Sequence, residues 1–231
     1  MDKRFLSILG GLVVIFIVIF ALSSHKSNNG SNGNSTTSSA KTSNHVEGQG
    51  STGVKLVEYG DFECPICGIY YQPLKQVYSQ FSSQIFFQFR NLPLTSIHKN
   101  AFAGARAAQA AALQGKFWQM HDALYDNQDP SGASGWVASN NPLTYFTTYA
   151  QQIGLNVTQF KTDYASDKVN NAIQADLTAF GKTGQEQATP TFFLDGKYVP
   201  NTELADASTG QPSVSKITQV LKAEIAAKQK Q

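Results

Sequence analysis

Two hydropathy patterns divide the chain. Met1-Asp2-Lys3-Arg4 is charged, and Phe5 through Leu22 carries no charge at all. As a helix that run would reach about 27 Å, close to a hydrocarbon core of about 30 Å, which predicts a membrane anchor over residues 1–23. Lys3 and Arg4 favour the cytoplasmic side and would send the remainder outward, giving a single-pass protein with its soluble part outside the cytoplasm. Ala21-Leu22-Ser23 also suits a signal peptidase, so a cleaved signal and a secreted product is the alternative, although the run is long for a signal core. No cysteine lies near this border, which excludes a lipoprotein signal. Residues 24–53 are mostly Ser, Asn, Thr and Gly, with no Phe, Trp or Tyr. Such a stretch buries too little surface to offset its ordering entropy and predicts a flexible linker.

From residue 54 to 231 the pattern is that of a folded domain. Val54 to Tyr59 reads as a strand ended by Gly60-Asp61. Tyr70, Tyr71, Leu74, Val77, Tyr78 and Phe81 then recur at helical spacing, with Pro65 suited to a first turn and Pro73 a source of bending. Ile85 to Arg90 is a second strand, apolar enough for both faces to be covered. About 96–180 shows no strand pattern. His98–Gln114, Phe117–Tyr125, Leu143–Ile153, Val157–Tyr164 and the series Val169, Ile173, Leu177, Phe180 predict helices, with a loop over Pro130–Trp136. Strand character returns at Thr191–Leu194, Asp195-Gly196 predicts a hairpin turn into Lys197–Val199, and Ser213 predicts the cap of a last helix. The sum is α/β: a small mixed sheet flanked by helices, interrupted by an inserted all-helical subdomain.

The formal charge of +2, with no stripe of Arg and Lys among aromatics, excludes a nucleic-acid interface. The two cysteines, Cys64 and Cys67, are too close in sequence for a bond between them to staple the unfolded chain. Their place at a strand–helix junction predicts redox chemistry instead. A helix start favours a thiolate at Cys64, which attacks a disulfide sulfur, and Cys67, one turn further in, resolves the mixed disulfide. A zinc site wants four ligands, and His25 and His45 fall in the linker while no second close ligand pair exists, so no metal is expected, and no cofactor. Glu58, six residues before Cys64 among apolar neighbours, is a candidate proton carrier for Cys67 if it points inward; an outward-facing strand carboxylate is the other reading. Thr189-Pro190-Thr191 opens the hairpin strand, where a cis Pro190 would expose backbone beside the cysteines to a substrate strand. His98 and His121 sit in helical patterns and read as packing or surface residues. Asp61 and Glu63 flank the site without an assigned step, and Asn156-Val157-Thr158 fits a glycosylation acceptor.

The segment Val57-Glu58-Tyr59-Gly60-Asp61-Phe62-Glu63-Cys64-Pro65-Ile66-Cys67 resembles the active site of the DsbA-like thioredoxin-fold family, membrane-anchored bacterial forms included. Thr189-Pro190-Thr191-Phe192 resembles that family's cis-proline segment, Glu58 its buried acid, and 96–180 its helical insertion. The resemblance, over Val54 to Ala227, implies a thioredoxin fold and a thiol oxidase. Such an oxidase donates its disulfide to exported polypeptides with cysteines and is reoxidised by a quinone-linked membrane oxidoreductase. It implies Pro65, Ile66, Thr189 and Pro190 as the substrate-facing residues. The dipeptide Pro65-Ile66 stands where the best-known oxidases carry Pro-His. Isomerisation or reduction with a reducing membrane partner is therefore the competing direction, and a noncatalytic peptide-binding domain is the alternative of another class.

Overall fold

The computed structural model describes residues 42–230, all within one compact unit, Ser39–Gln231. Five strands form its sheet: β1 (His45–Glu47), β2 (Val54–Gly60), β3 (Ile85–Asn91), β4 (Thr191–Leu194) and β5 (Lys197–Val199). Their order is β1-β3-β2-β4-β5. β2 and β3 run parallel, joined by the crossover helix α1 (Pro65–Phe81), and the other pairs are antiparallel. Between β3 and β4 come α2 (Ala101–Ala112), α3 (Phe117–Asp126), α4 (Gly135–Ala138), α5 (Leu143–Gln152), α6 (Val157–Tyr164) and α7 (Asp167–Gly181). α8 (Asn201–Leu204) and α9 (Val214–Lys228) close the chain. This is the mixed sheet with a helical insertion that the hydropathy pattern predicts.

Strand alternation decides what each residue of β2 meets. Val54 and Leu56 enter the main core with Cys67, Leu74 and Val77 of α1, whereas Val57 and Tyr59 face the opposite side and pack with Phe180, Leu92 and Phe193. Glu58 follows the even-numbered set and is buried. The predicted turn holds Asp195 at φ 49° and Gly196 at φ 82°, the paired left-handed conformations of a two-residue hairpin. Ser213 accepts the Lys216 N–H as the cap of α9, and Pro73 lies inside α1 without ending it. Gly135 begins α4 within the stretch predicted as loop.

Two expectations need correction. The first concerns the linker. Its last residues are folded: His45–Glu47 pairs with Phe87–Phe89 as an edge strand, and His45 stacks on Phe117 with ring centroids 3.5 Å apart. Burial pulls the His45 pKa down to about 4, so this histidine is a neutral packing residue. The segment is tied down by the buried Asp176 carboxylate, which accepts from Ser43 N–H at 2.9 Å, the Ser43 hydroxyl, the Asn91 N–H at 3.0 Å and Asn91 Nδ2 at 3.1 Å. Removing the carboxylate leaves several buried donors unpaired, so Asp176→Ala should lower unfolding free energy by about 2–3 kcal/mol. Urea unfolding checks this, and an unchanged midpoint would show that the edge strand is held by something else.

The second correction concerns the membrane. The span expected over Phe5–Leu22 lies outside the described residues. Among the described residues no helix is long and apolar enough to cross a membrane. The longest, α1, has 17 residues and carries Gln72, Lys75 and Gln76. The signal-anchor, the single-pass placement outside the cytoplasm and the membrane-anchored form are therefore not supported. The quinone-linked membrane oxidoreductase and the exported clients, which the resemblance implied, are likewise not supported, since no helix among the described residues could hold the domain beside a membrane partner.

Candidate active site

Cys64 is the N-cap of α1 and Pro65 its first residue. The N-cap position follows from the chain's path: β2, the central strand, ends at Gly60, and the Cys64 N–H donates to the Asp61 carbonyl at 3.1 Å, closing the turn that leads into the helix. Both cysteines are free thiols. Cys64 keeps 5% of its surface exposed and Cys67 none. The Thr189–Pro190 bond is cis, and the Thr189 carbonyl accepts from Cys64 Sγ at 3.5 Å. Cys64, Cys67, Thr189 and Pro190 therefore meet, while Ile66 stands at the surface, 48% exposed.

The two sulfurs titrate in opposite directions. The Cys67 thiol donates to Cys64, and this is the largest influence on Cys64. The Thr189 side chain and the N–H groups of Cys67 and Ile66 add to it against desolvation, and the Cys64 pKa falls to about 6. Cys67 is pushed well above the usual thiol range by burial first, then by that same hydrogen bond and by the charges of Cys64 and Glu58. At neutral pH the reduced pair is thus a thiolate at Cys64 and a thiol at Cys67.

Glu58 points inward, which settles its orientation. Burial raises its pKa from 4.5 to about 8, and the Cys64 charge contributes further. A cavity of about 430 Å³ between α1 and α3 takes in Glu58 together with Lys75, Tyr78, His121 and Asp122. His121 itself is buried, with its pKa lowered by desolvation, and rings of Phe62, Tyr71, Phe89 and Trp118 surround it. That is a packing histidine, as its helical spacing predicts.

One residue here, Gln128, has no signal in the sequence, and two others, Asp61 and His98, meet in a way the sequence does not predict. Gln128, after α3, donates from Nε2 to the carbonyls of Phe62 at 2.7 Å and Cys64 at 3.0 Å, bracing the turn from the helical insertion. Its side chain also explains Gly68, where a Cβ would come within 2.0 Å of Gln128 Oε1. The Asp61 carboxylate, fully buried, accepts from the N–H groups of Glu63 at 2.8 Å and Leu94 at 2.9 Å, and pairs with His98 Nδ1 at 2.7 Å. No signal in the sequence joins residues 61 and 98, since their meeting depends on how the β3–α2 connection folds back. Among the described residues no group of three or more His, Cys, Asp or Glu could hold a metal ion.

Comparison with known proteins bears on the family and the fold. The thioredoxin family profile matches residues 40–211. A thioredoxin-like oxidoreductase from Silicibacter pomeroyi DSS-3 superposes with a TM-score of 0.60 at 23% identity, covering 78% of this chain and 90% of that one. Oxidised BdbD from Bacillus subtilis gives 0.64 at 20% identity, covering 81% and 97%. At these identities the likeness concerns the fold. Among curated relatives, the Na(+)/H(+) antiporter NhaA 1 of Mycolicibacterium vanbaalenii is 36% identical over 155 residues, which is 66% of this chain and 23% of that protein. The chain spans less than a quarter of the length of such relatives, and the antiport in their name is theirs. The closely spaced cysteine pair stands on this fold, and the chain belongs to the thioredoxin family.

Proposed function

We propose that the protein donates a disulfide to polypeptide dithiols, with Cys64 as the exchanging sulfur, Cys67 as its resolving partner and Glu58 as the proton carrier for Cys67. The observation that carries this reading is the opposed titration of the two sulfurs, Cys64 down to about 6 and Cys67 well up. A stabilised thiolate stabilises the reduced pair, which makes the disulfide form the stronger oxidant. In the oxidised protein a substrate thiolate attacks Cys64 Sγ. The Cys64–Cys67 bond breaks, and Cys67 leaves with the electron pair and takes a proton from Glu58. A second substrate thiolate then attacks the substrate sulfur of the mixed disulfide and expels Cys64 as a thiolate. The substrate has lost two electrons and the cysteine pair has gained them.

The charge coupling between Cys64 and Glu58 gives this cycle its timing. With Cys64 anionic, Glu58 is held protonated, its pKa about 8. When Cys64 is bonded to a substrate its charge is gone, the Glu58 pKa drops, and Glu58 becomes the better base for Cys67 in the reverse attack. Glu58 exchanges its proton with solvent through the cavity it lines with Lys75 and Asp122. Ile66 and Pro65 offer the apolar surface beside the sulfur, and the Thr189–Pro190 backbone offers the strand-like edge against which a substrate lies. The Thr189 hydroxyl, buried and otherwise without a partner, is the donor at hand once Cys64 is an anion.

The measurement that tests the direction is the equilibrium of the Cys64/Cys67 pair with glutathione. Donation requires a potential well above that of thioredoxin, about −270 mV, toward that of the strong oxidants, about −120 mV. A value at the thioredoxin end would assign reduction, and an intermediate one isomerisation. Unchanged cellular activity in Cys64→Ser would assign a noncatalytic peptide-binding domain.

A further inference from the structure

Beside the Cys64 turn lies a depression of about 330 Å³ that the exchange steps leave without a task. The β2–α1 turn gives it Glu63 and Pro65, the chain neighbours of Cys64 on either side. Its other walls come from the helical insertion and the approach to it: Ile97 on the β3–α2 connection, Asp129 and Pro130 after α3, and Val137 of α4. The lining joins two chemistries. One is apolar: Ile97, 71% exposed, is the most exposed large apolar side chain among the described residues, and Pro65, Pro130 and Val137 share the depression with it. The other is carboxylate. Asp129 accepts from the Ser131 N–H at 2.9 Å and from the hydroxyls of Ser131 and Ser134, both at 2.7 Å. Those bonds hold its pKa at about 2, so it is an anion at any working pH. Glu63 accepts the Asn100 N–H at 2.5 Å. Of the basic residues on the rim, His98 is paired with the buried Asp61 at 2.7 Å, and Lys99 gives its Nζ to the Ala138 carbonyl at 2.6 Å. A ligand here meets two carboxylates against one lysine that is already engaged. The walls are also set before anything binds, because Asn100 Nδ2 donates to the carbonyls of Trp136 at 2.9 Å and Val137 at 3.0 Å and ties α4 to the start of α2.

We propose that this depression is a substrate subsite, which receives a lysine or arginine side chain close to the reacting cysteine of the bound polypeptide, with the methylene stem against Ile97 and Pro65 and the charged head at Asp129 and Glu63. The inference rests on the exchange reaction proposed above and deepens it by naming the substrate class: cysteine-containing polypeptides with a basic neighbour. Lysine and arginine match both halves of the lining, since their stems cover apolar surface while their heads stay in water beside a carboxylate. An acidic side chain would meet like charge. A leucine would cover Ile97 but would strip water from the Asp129 and Glu63 oxygens without replacing it. Thr189 and Pro190 lie outside this lining, so backbone pairing at the cis bond and side-chain selection in the depression are separate contacts of one bound chain.

The test is the rate at which the oxidised protein oxidises dithiol peptides that differ at one position beside a cysteine, where lysine, alanine or glutamate stands. Each rate is divided by that of the same peptide with glutathione disulfide, which removes the effect of the neighbour on the peptide thiol itself. Lysine should exceed alanine by about fivefold, and glutamate by more. Asp129→Asn and Ile97→Ser should each cut the lysine advantage to about twofold and leave the alanine rate unchanged, since neither residue belongs to the exchange machinery. Equal normalised rates for the three peptides in wild type would overturn the proposal, and so would a preference for glutamate. A lysine advantage that survives both substitutions would overturn it as well, because the selection would then lie elsewhere. So would a loss as large with alanine as with lysine, which would reflect a disturbed turn and not a lost subsite. If the variants fail to fold, salt decides on the wild-type protein: the lysine advantage should shrink between about 0.05 M and about 1 M salt, and an advantage indifferent to salt would refute the pairing with Asp129 and Glu63. These outcomes stand apart from failure of the exchange reading, which would show as no oxidation of any of the peptides.

Discussion

Replacing Cys67 with alanine should leave the first attack in place and stop the second. With a disulfide-bonded peptide, Cys67→Ala is expected to accumulate a mixed disulfide at Cys64, visible as a mass increment on a non-reducing analysis, while turnover falls roughly a thousandfold or more. Cys67 has no exposed surface and sits one turn into α1, so no external thiol replaces it in resolving the adduct. The substitution deletes a single buried sulfur, which costs about 1 kcal/mol, and the adduct should stay folded. It also removes the largest influence holding the Cys64 pKa down, the hydrogen bond from Cys67. Capture should therefore slow at acid pH and recover above neutrality, where Cys64 ionises without help. Cys64→Ser should give neither adduct nor turnover. An adduct that resolves at the wild-type rate in Cys67→Ala would remove Cys67 from the reaction.

The unit from β2 through α1 to β3 can be read from the sequence because each part carries a local signal. Val54–Gly60 and Ile85–Asn91 are apolar runs too short for helices, and the residues of α1 repeat on one face from Tyr70 to Phe81. The hairpin and the last helix announce themselves through Asp195-Gly196 and Ser213. Edge strand β1 had no such signal. Three residues in a polar stretch become a strand only because Phe87–Phe89 offers free backbone groups and Asp176, on α7, fixes the approach through Ser43. The network bracing the Cys64 turn is hidden for the same reason. Asp61 and His98 are 37 positions apart, and Gln128 is 64 from Cys64, so their meetings belong to the tertiary fold and not to any window of sequence. The opposed titration of the sulfurs is intermediate: the helix start is readable, but the donation from Cys67 and the nearness of Thr189 need the folded sheet.

Glu58→Leu should give a more stable and slower protein, and the pH dependence of each effect identifies its cause. The folded pKa of about 8 lies above the free value of 4.5. Below pH 4.5 folded and unfolded chains are both protonated at this site, and Glu58 contributes nothing to the difference. Between 4.5 and 8 the folded chain keeps a proton that the unfolded chain has released, so stability falls as pH rises and the full penalty is present above pH 8. A rise of that size corresponds to on the order of 4 kcal/mol. Because Leu also alters packing, the net gain of Glu58→Leu at pH 9 should be about 2–4 kcal/mol, vanishing near pH 4. The kinetic effect has the opposite sign. Attack by Cys67 on a mixed disulfide needs its proton removed inside a site that shuts out solvent bases, and losing the buried base should slow that step by about a hundredfold or more. In wild type the step should quicken with pH along a titration below 8, because the Cys64 charge that helps raise Glu58 is absent in the adduct. In Glu58→Leu that titration should disappear. Single-turnover resolution followed against pH, alongside urea unfolding at pH 4 and 9, reads both effects in one pair of proteins. A variant that gains stability but resolves at the wild-type rate with the wild-type profile would leave Glu58 as a buried acid with no part in the chemistry.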